Sequence, residues 1–369
     1  MNRFRSALLF LLILVLRLSI AAQFRGNFDS QSFLITAMAT ASGGNVYAVT
    51  DRYNYSPAWA WIVSGLWRLC APNASSFILS IGILLTAVDV ATAALVLAFA
   101  VRRLGSSPAQ GRRLALLFFA NPVSVLISCA HGQFDGLSIL FLLAAIYVAT
   151  GPEAERIGAA IAVAAALAAS LILKHVTAFH LALFWRRVRR PGYTLPVLAA
   201  PVLLFLLSFW GYRSAWDRVV SSVFLYGLRS SSRFQQHANG WTALFPVAWH
   251  GGAVAAAVFL ASVVGIVIAT RGLPLARAAR ILFLSNLVFL PSSAVQYAVW
   301  PIALGSLEPG LPYGLFTAAA ALYHSSAPES LNIHWPIGAT PLGIWFCALI
   351  WLVAELRRAA AAGLSQPAG

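Results

Sequence analysis

Charge is what this chain has least of. Asp, Glu, Lys and Arg together supply 9% of its 369 residues while hydrophobic ones supply 60%, a balance that excludes a soluble globular domain. Acidic residues number ten against 25 basic ones, and Lys174 is the only lysine. Cysteine is nearly missing as well. Cys70, Cys129 and Cys347 are odd in number and lack metal or redox spacing, so they imply no disulfide framework. The sequence has no internal repeat, no Walker or dinucleotide glycine motif, no His-x-x-x-His pair and no low-complexity linker apart from an Ala-rich tail after residue 358. Those absences remove nucleotide-binding folds and helical zinc sites from consideration.

Long apolar runs fill the rest. At roughly 20 residues per helical span, the chain accommodates about ten to twelve helices, with no soluble domain left over. The expected fold is all-α, a single polytopic integral-membrane domain over residues 1–369 with a large first extracytoplasmic loop. A net charge of +15 would suit nucleic acid, but its placement argues otherwise. Arg3 and Arg5, Arg102-Arg103 with Arg112-Arg113, Arg186-Arg187 with Arg189-Arg190, Arg271 with Arg277 and Arg280, and Arg357-Arg358 all fall beside span ends. By the positive-inside rule they mark the cytoplasmic face, and no nucleic-acid partner is implied. Both termini are then cytoplasmic, and residues 23–75, 129–136, 211–243, 291–297 and 324–338 lie outside. The first run, Leu8 to Ala22 behind Arg3 and Arg5, resembles a signal peptide and is read as an uncleaved span. Runs at 175–185 and 298–308 are too short to cross alone; they are read as broken helices around a wet cavity opening outward.

The polar residues gather in a few places. His131-Gly132-Gln133-Phe134-Asp135-Gly136 sits between the apolar runs 114–130 and 137–150. Polar groups are costly near lipid, so such a knot is a functional candidate; a plain turn would need only Gly, Asn or Ser. Asp29, in Arg25-Gly26-Asn27-Phe28-Asp29 just past the first span, is placed to act as a general base. Lys174 lies at the apex between two apolar half-spans. Its ammonium suits a phosphate as a compact point charge, and it suits a snorkelling anchor as well. Asp89, deep in a span, is expected to be the structural partner of an arginine or a backbone donor. Tyr55 with Trp59, Trp61 and Trp67 crowds the first loop, much of it an interfacial belt.

Several of these segments, in order, resemble the integral-membrane glycosyltransferases of the GT-C fold, which take sugars from polyprenyl phosphates. Asn27-Phe28-Asp29 resembles that fold's first-loop Asp, and Asn121-Pro122 followed by His131-Gly132-Gln133-Phe134-Asp135 resembles its asparagine-proline and HxQ-type loop. Gln296-Tyr297 with Trp300 is similar to a set in bacterial HGQFD-containing enzymes, to which the chain looks closest. More distantly it is similar to the dolichyl-phosphate-glucose glucosyltransferases, through Arg218 to Phe224, Gly227-Leu228 and Ala238-Asn239-Gly240-Trp241.

That resemblance implies an inverting hexosyltransferase moving glucose or mannose from a polyprenyl-phosphate donor to a lipid-linked or small glycan acceptor. Asp29 would take the acceptor proton, and Lys174, Arg218 and His131 would hold the departing phosphate. Gln133 and Asp135 would orient the sugar or the imidazole, while Tyr55, Gln296 and Tyr297 line the cavity and Trp241 stacks on a sugar ring. No cofactor is expected. Asp29 with Asp135 could bind a hard cation, yet the glucosyltransferase-like enzymes work without a metal. The alternative is a transporter or lipid flippase. Transporters place binding groups near the midplane between repeated halves, whereas here no repeat is visible and the polar groups collect on one face. Richness in Ala and Arg with a single lysine points to a GC-rich bacterial genome. The expected location is a bacterial cytoplasmic membrane, with the site facing the periplasm.

Overall fold

Apolar runs of this length can satisfy their backbone in lipid as helices, and helices are what form. The computed structural model describes residues 3–24, 26–185, 191–225, 253–290, 294–327, 331–333 and 340–364; among them there is no strand. Helix α1 (Arg3–Gln23) leads into a first loop that itself folds as α2 (Phe28–Ala41), α3 (Val46–Val49) and α4 (Pro57–Cys70). Helix α5 (Ala74–Arg102) follows, then α6 (Pro108–Phe119), and after a break α7 (Pro122–Val125) running into a π-helical turn (Leu126–His131). Next come α8 (Asp135–Ala149), α9 (Ile157–Leu173), a 3-10 turn (His175–Thr177), α10 (Ala178–Phe184) and α11 (Pro191–Ser208). A 3-10 turn (Trp210–Ala215), α12 (Trp216–Val219) and a second π-helical turn (Val220–Phe224) cap α11. The chain finishes with α13 (Ala253–Ala269), α14 (Leu275–Phe289), a 3-10 turn (Val295–Val299), α15 (Ile302–Gly305), α16 (Leu311–Ser326) and α17 (Pro341–Leu364).

This is the all-helical, polytopic membrane architecture the composition calls for. By length and composition α1 and α5 are each able to cross a bilayer. Two bent pairs, Pro108–Phe119 with Pro122–His131 at 46° and Gly192–Ser208 with Trp210–Phe224 at 50°, raise the number among the described residues to four. Asp135–Ala149, Ile157–Leu173, His175–Phe184 and Val254–Ala269 are shorter apolar helices. Each apolar run named above thus contains a helix, but several are cut short, and two cuts have plain causes. Pro122 lacks the N–H that would continue α6, and Asn121 accepts instead from Val123 N at 2.9 Å, starting a new helix. At Lys174 the backbone turns extended, with φ −149° and ψ 113°, which ends α9 and forces the 3-10 turn.

The packing that positions the site centres on α5, which meets α1, α4, α6 and α8. Helix α1 turns Leu8, Leu11, Leu12 and Val15 outward and buries Arg17 completely. Arg17 donates to Asp89 Oδ2 at 2.6 Å, so Asp89 has the arginine partner expected of it. The same guanidinium donates twice to Phe119 O, at 2.9 and 2.7 Å, and once to Ser124 Oγ at 2.8 Å. The Phe119 carbonyl is one of those left without a helical partner by the break at Pro122. Arg17 therefore binds the break itself and holds the following π-helical turn against α1 and α5.

Candidate functional site

Helix α2 begins with a capping box. Ser30 N donates to Asn27 Oδ1 at 2.9 Å and Asn27 N donates to Ser30 Oγ at 2.6 Å. Asn27 Nδ2 also donates to His131 O at 3.1 Å, which ties the start of α2 to the end of the π-helical turn and leaves Asp29 in the first helical turn beside it. The turn ends at Gly132 with φ +74°, a left-handed conformation that glycine adopts without strain. That reversal brings His131 and Gln133 to the same carboxylate: Gln133 Nε2 donates to Asp29 Oδ2 at 2.5 Å and His131 Nε2 lies 3.2 Å from the same oxygen.

Asp135 opens α8 and faces the other way. It accepts from Lys174 Nζ at 2.5 Å on one oxygen and from Trp300 Nε1 at 2.6 Å on the other. The two short runs expected to surround a cavity therefore converge here, one through Lys174 and one through Trp300. Around the ammonium stand the rings of Tyr55 and Phe134 at 5.3 Å and Tyr297 at 5.2 Å, a cation–π cage. Phe134 stacks on Trp59 and Tyr297 on Trp300, each with centroids 4.1 Å apart, so the cage is rigid.

His131, Gln133, Asp135 and Lys174 are all buried, whereas the Asp29 side chain keeps 25% of its surface exposed. Burial opposes ionisation of Asp29, but the hydrogen bond and charge of His131, the Gln133 amide and the field of Lys174 outweigh it and hold the carboxyl below its ordinary range. Both of its bonds fall on Oδ2, which leaves Oδ1 to accept from outside. Gln133 Oε1 is buried with no partner. What the cluster can offer a ligand is thus the Asp29 carboxylate, backed by a neutralised ion pair.

The other anticipated site residues divide. Tyr55 and Tyr297 belong to the cage, and Gln296 is half-buried in the same 3-10 turn as Tyr297. Arg218 stands apart: it is exposed and donates to Ala48 O at 2.9 Å, bracing α12 against α3. Trp241 lies outside the described residues. Among the described residues no three His, Cys, Asp or Glu side chains gather as they would around a metal ion. Arg17, which sequence reasoning missed, could have been found as a second charge inside a span that already needed a partner for Asp89. The role of Asn27 was signalled by Ser30 three residues on, a capping pattern. Trp300 as the Asp135 donor had no local signal.

The family model described as GPI transamidase subunit PIG-U matches residues 36–269, more than half of the chain. The chain belongs to the PIG-U family. No curated protein matches it. The matched segment contains His131, Gln133, Asp135, Lys174 and Arg218, while Asp29, Gln296 and Tyr297 fall outside it.

Membership of the PIG-U family overturns the resemblance to GT-C glycosyltransferases. With it go the hexosyl transfer, the polyprenyl-phosphate sugar donor and the glycan acceptor as partners, and the transporter alternative gains no support either. The resemblance rested on a handful of short polar motifs at helix breaks, and a break in a membrane helix calls for such residues whatever the chemistry. The geometry agrees on one point: Lys174 and Arg218, read as phosphate-holding cations, are engaged with Asp135 and with a loop carbonyl. The protein is an integral membrane protein. A bacterial cytoplasmic membrane, inferred from composition, has no support from the family.

Proposed function

We propose that this chain is a membrane-embedded binding subunit of a GPI-transamidase-type assembly, holding the headgroup of the glycolipid that becomes attached to protein. The observation that carries the reading is Asp29, the exposed member of an otherwise buried cluster, kept ionised by His131 and Gln133. Asp29 Oδ1 is an acceptor that suits the hydroxyl or ammonium donors of a sugar or amine headgroup. Lys174 supplies the field behind it while remaining paired with Asp135. Broken helices around the cluster suit a lipid whose head must reach protein groups while its tails stay in the bilayer. The bond-breaking step belongs on this reading to another subunit, and the chain's partners are the protein chains of that assembly together with the glycolipid. Its membrane is then that of the endoplasmic reticulum, with the site toward the lumen.

A photoreactive glycolipid with an amine-terminated phosphoglycan head tests this in lipid nanodiscs. Crosslinking is expected with the wild-type chain and is expected to fall about ten-fold or more with Asp29→Asn, the scale of one hydrogen bond to a charged group at about 1.5–3 kcal/mol. Equal labelling of both proteins, each with unchanged thermal unfolding, would overturn the reading.

A further inference from the structure

We infer that a groove at the far end of α2 is a second ligand site, and that it takes a phosphate-bearing sugar. The inference rests on the reading above in one respect: the groove and Asp29 would hold two parts of one glycolipid. The groove has a volume of about 490 Å³, within the range of small-molecule sites, and lies between the α2–α3 turn, α4 and the 3-10 turn after α11. Asp29 and Thr40 stand eleven residues apart on α2, roughly 16 Å along its axis. One extended headgroup can reach from the carboxylate to the groove.

Three residues of α4 make its main wall. Trp61, Gly65 and Arg68 recur at helical spacing on one face, an aromatic ring and a guanidinium with a notch between them. Trp61 is 51% exposed, yet its indole N–H donates to Tyr212 Oη at 2.9 Å, so the ring is held with a face outward as a stacking platform. A Cβ at Gly65 would meet nothing within 4 Å. Glycine inside a helix costs about 1 kcal/mol relative to alanine, and neither packing nor backbone conformation calls for it here. The missing side chain keeps the notch open. Across the groove Gly43, in the left-handed region at φ +78°, also has empty space where a side chain would stand.

The polar lining chooses the ligand. Thr40 lines the groove, and its Oγ1 is buried with no partner. Arg68 is the charged residue of the lining, and among the described residues no carboxylate pairs with it. Its bond to Ala41 O, at 3.4 Å, is long and leaves most of its donors for an anion. A flat apolar ring beside an unbalanced guanidinium fits a sugar face beside a phosphate, and fits a neutral sugar less well.

Calorimetric titration of the full chain in nanodiscs decides it, with mannose 6-phosphate, mannose and inorganic phosphate as probes. Mannose 6-phosphate is expected to bind at least ten-fold more tightly than either of the others. Gly65→Leu, which fills the notch while favouring the helix, is expected to abolish that binding with unchanged thermal unfolding. Arg68→Gln is expected to erase the preference over mannose, and Asp29→Asn to leave it intact. Equal binding of inorganic phosphate, or undiminished binding by Gly65→Leu, would sink the inference. The two readings fail separately: loss of glycolipid crosslinking in Asp29→Asn with no sugar binding in the groove leaves the headgroup reading standing alone, and the converse leaves the groove.

Discussion

A guanidinium buried in a membrane helix is costly unless every donor has a use, and Arg17 uses its donors on Asp89, Phe119 O and Ser124. Arg17→Met removes a partner from a buried carboxylate and is expected to destabilise the protein by about 3–5 kcal/mol. Adding Asp89→Leu is expected to recover part of that loss, because the uncompensated charge goes, but not all, because the Phe119 carbonyl still lacks a donor. Thermal unfolding of the three proteins in nanodiscs measures both steps. Asp29 makes a different kind of prediction. Its folded pKa lies below the unfolded value of about 3.9, so its stabilising effect is complete above that value and is lost as pH falls through the folded one. The unfolding-temperature difference between wild type and Asp29→Asn is therefore expected to be constant from neutral pH to about 5 and to shrink below about 4. A difference that grows on acidification would contradict the arrangement around Asp29. At this scale the sequence disclosed His131, Gln133, Asp135 and Lys174, whose side chains are expensive where they sit. It concealed that Lys174 and Asp135 answer each other, since Asp135 opens α8 and Lys174 ends α9, 39 positions apart.

Elements were legible where apolar runs are continuous and opaque where they break. The first run, Leu8 to Ala22, sits inside the observed Arg3–Gln23. The single expected span 114–130 is instead a helix, a 46° bend and a π-helical turn. Asn121-Pro122 announced the bend, but a π turn has no hydrophobic period of its own and depends on tertiary partners such as Arg17 and Tyr313, whose hydroxyl accepts from Asn121 Nδ2 at 2.8 Å. Two glycines that follow this element separate backbone need from space. Gly132 has φ +74°, so Gly132→Ala is expected to cost about 1–2 kcal/mol and to loosen both bonds to Asp29. A Cβ at Gly136 would make an ordinary contact, 3.5 Å from Asp89 Oδ1, and Gly136→Ala is expected to be near neutral. The same unfolding assay, with glycolipid crosslinking alongside, checks the pair; equal effects would mean that the reversal at Gly132 is not what aims His131 and Gln133.

Among the described residues three buried ionic clusters that share no residue hold the bundle together. One joins α8 to Lys174 at the end of α9, with α2 tied in through Asp29; Arg17 and Asp89 join α1 and α5 at the α6–α7 break. The third lies on α14 and α17: Glu355, 1% exposed, accepts from Arg277 and Arg280 at 3.0 Å each, and Arg280 also reaches Glu308 at 2.7 Å. Helix contacts in lipid gain little from apolar burial, so polar pairings of this kind help decide which helix sits against which. From sequence these arginines read as markers of one membrane face; that they close a buried knot with a glutamate 75 and 78 positions away could not be read from spacing. Glu355→Gln takes the buried carboxylate from both guanidinium groups, leaving Arg280 only the half-exposed Glu308, and is expected to cost about 3–5 kcal/mol. Since the knot touches neither Arg17 nor Asp29, its loss is expected to add to that of Arg17→Met within about 0.5 kcal/mol, and to leave glycolipid labelling of the folded protein unchanged. A large departure from additivity would show that the clusters are coupled through the bundle. The headgroup site would then respond to changes at the arginine-rich end.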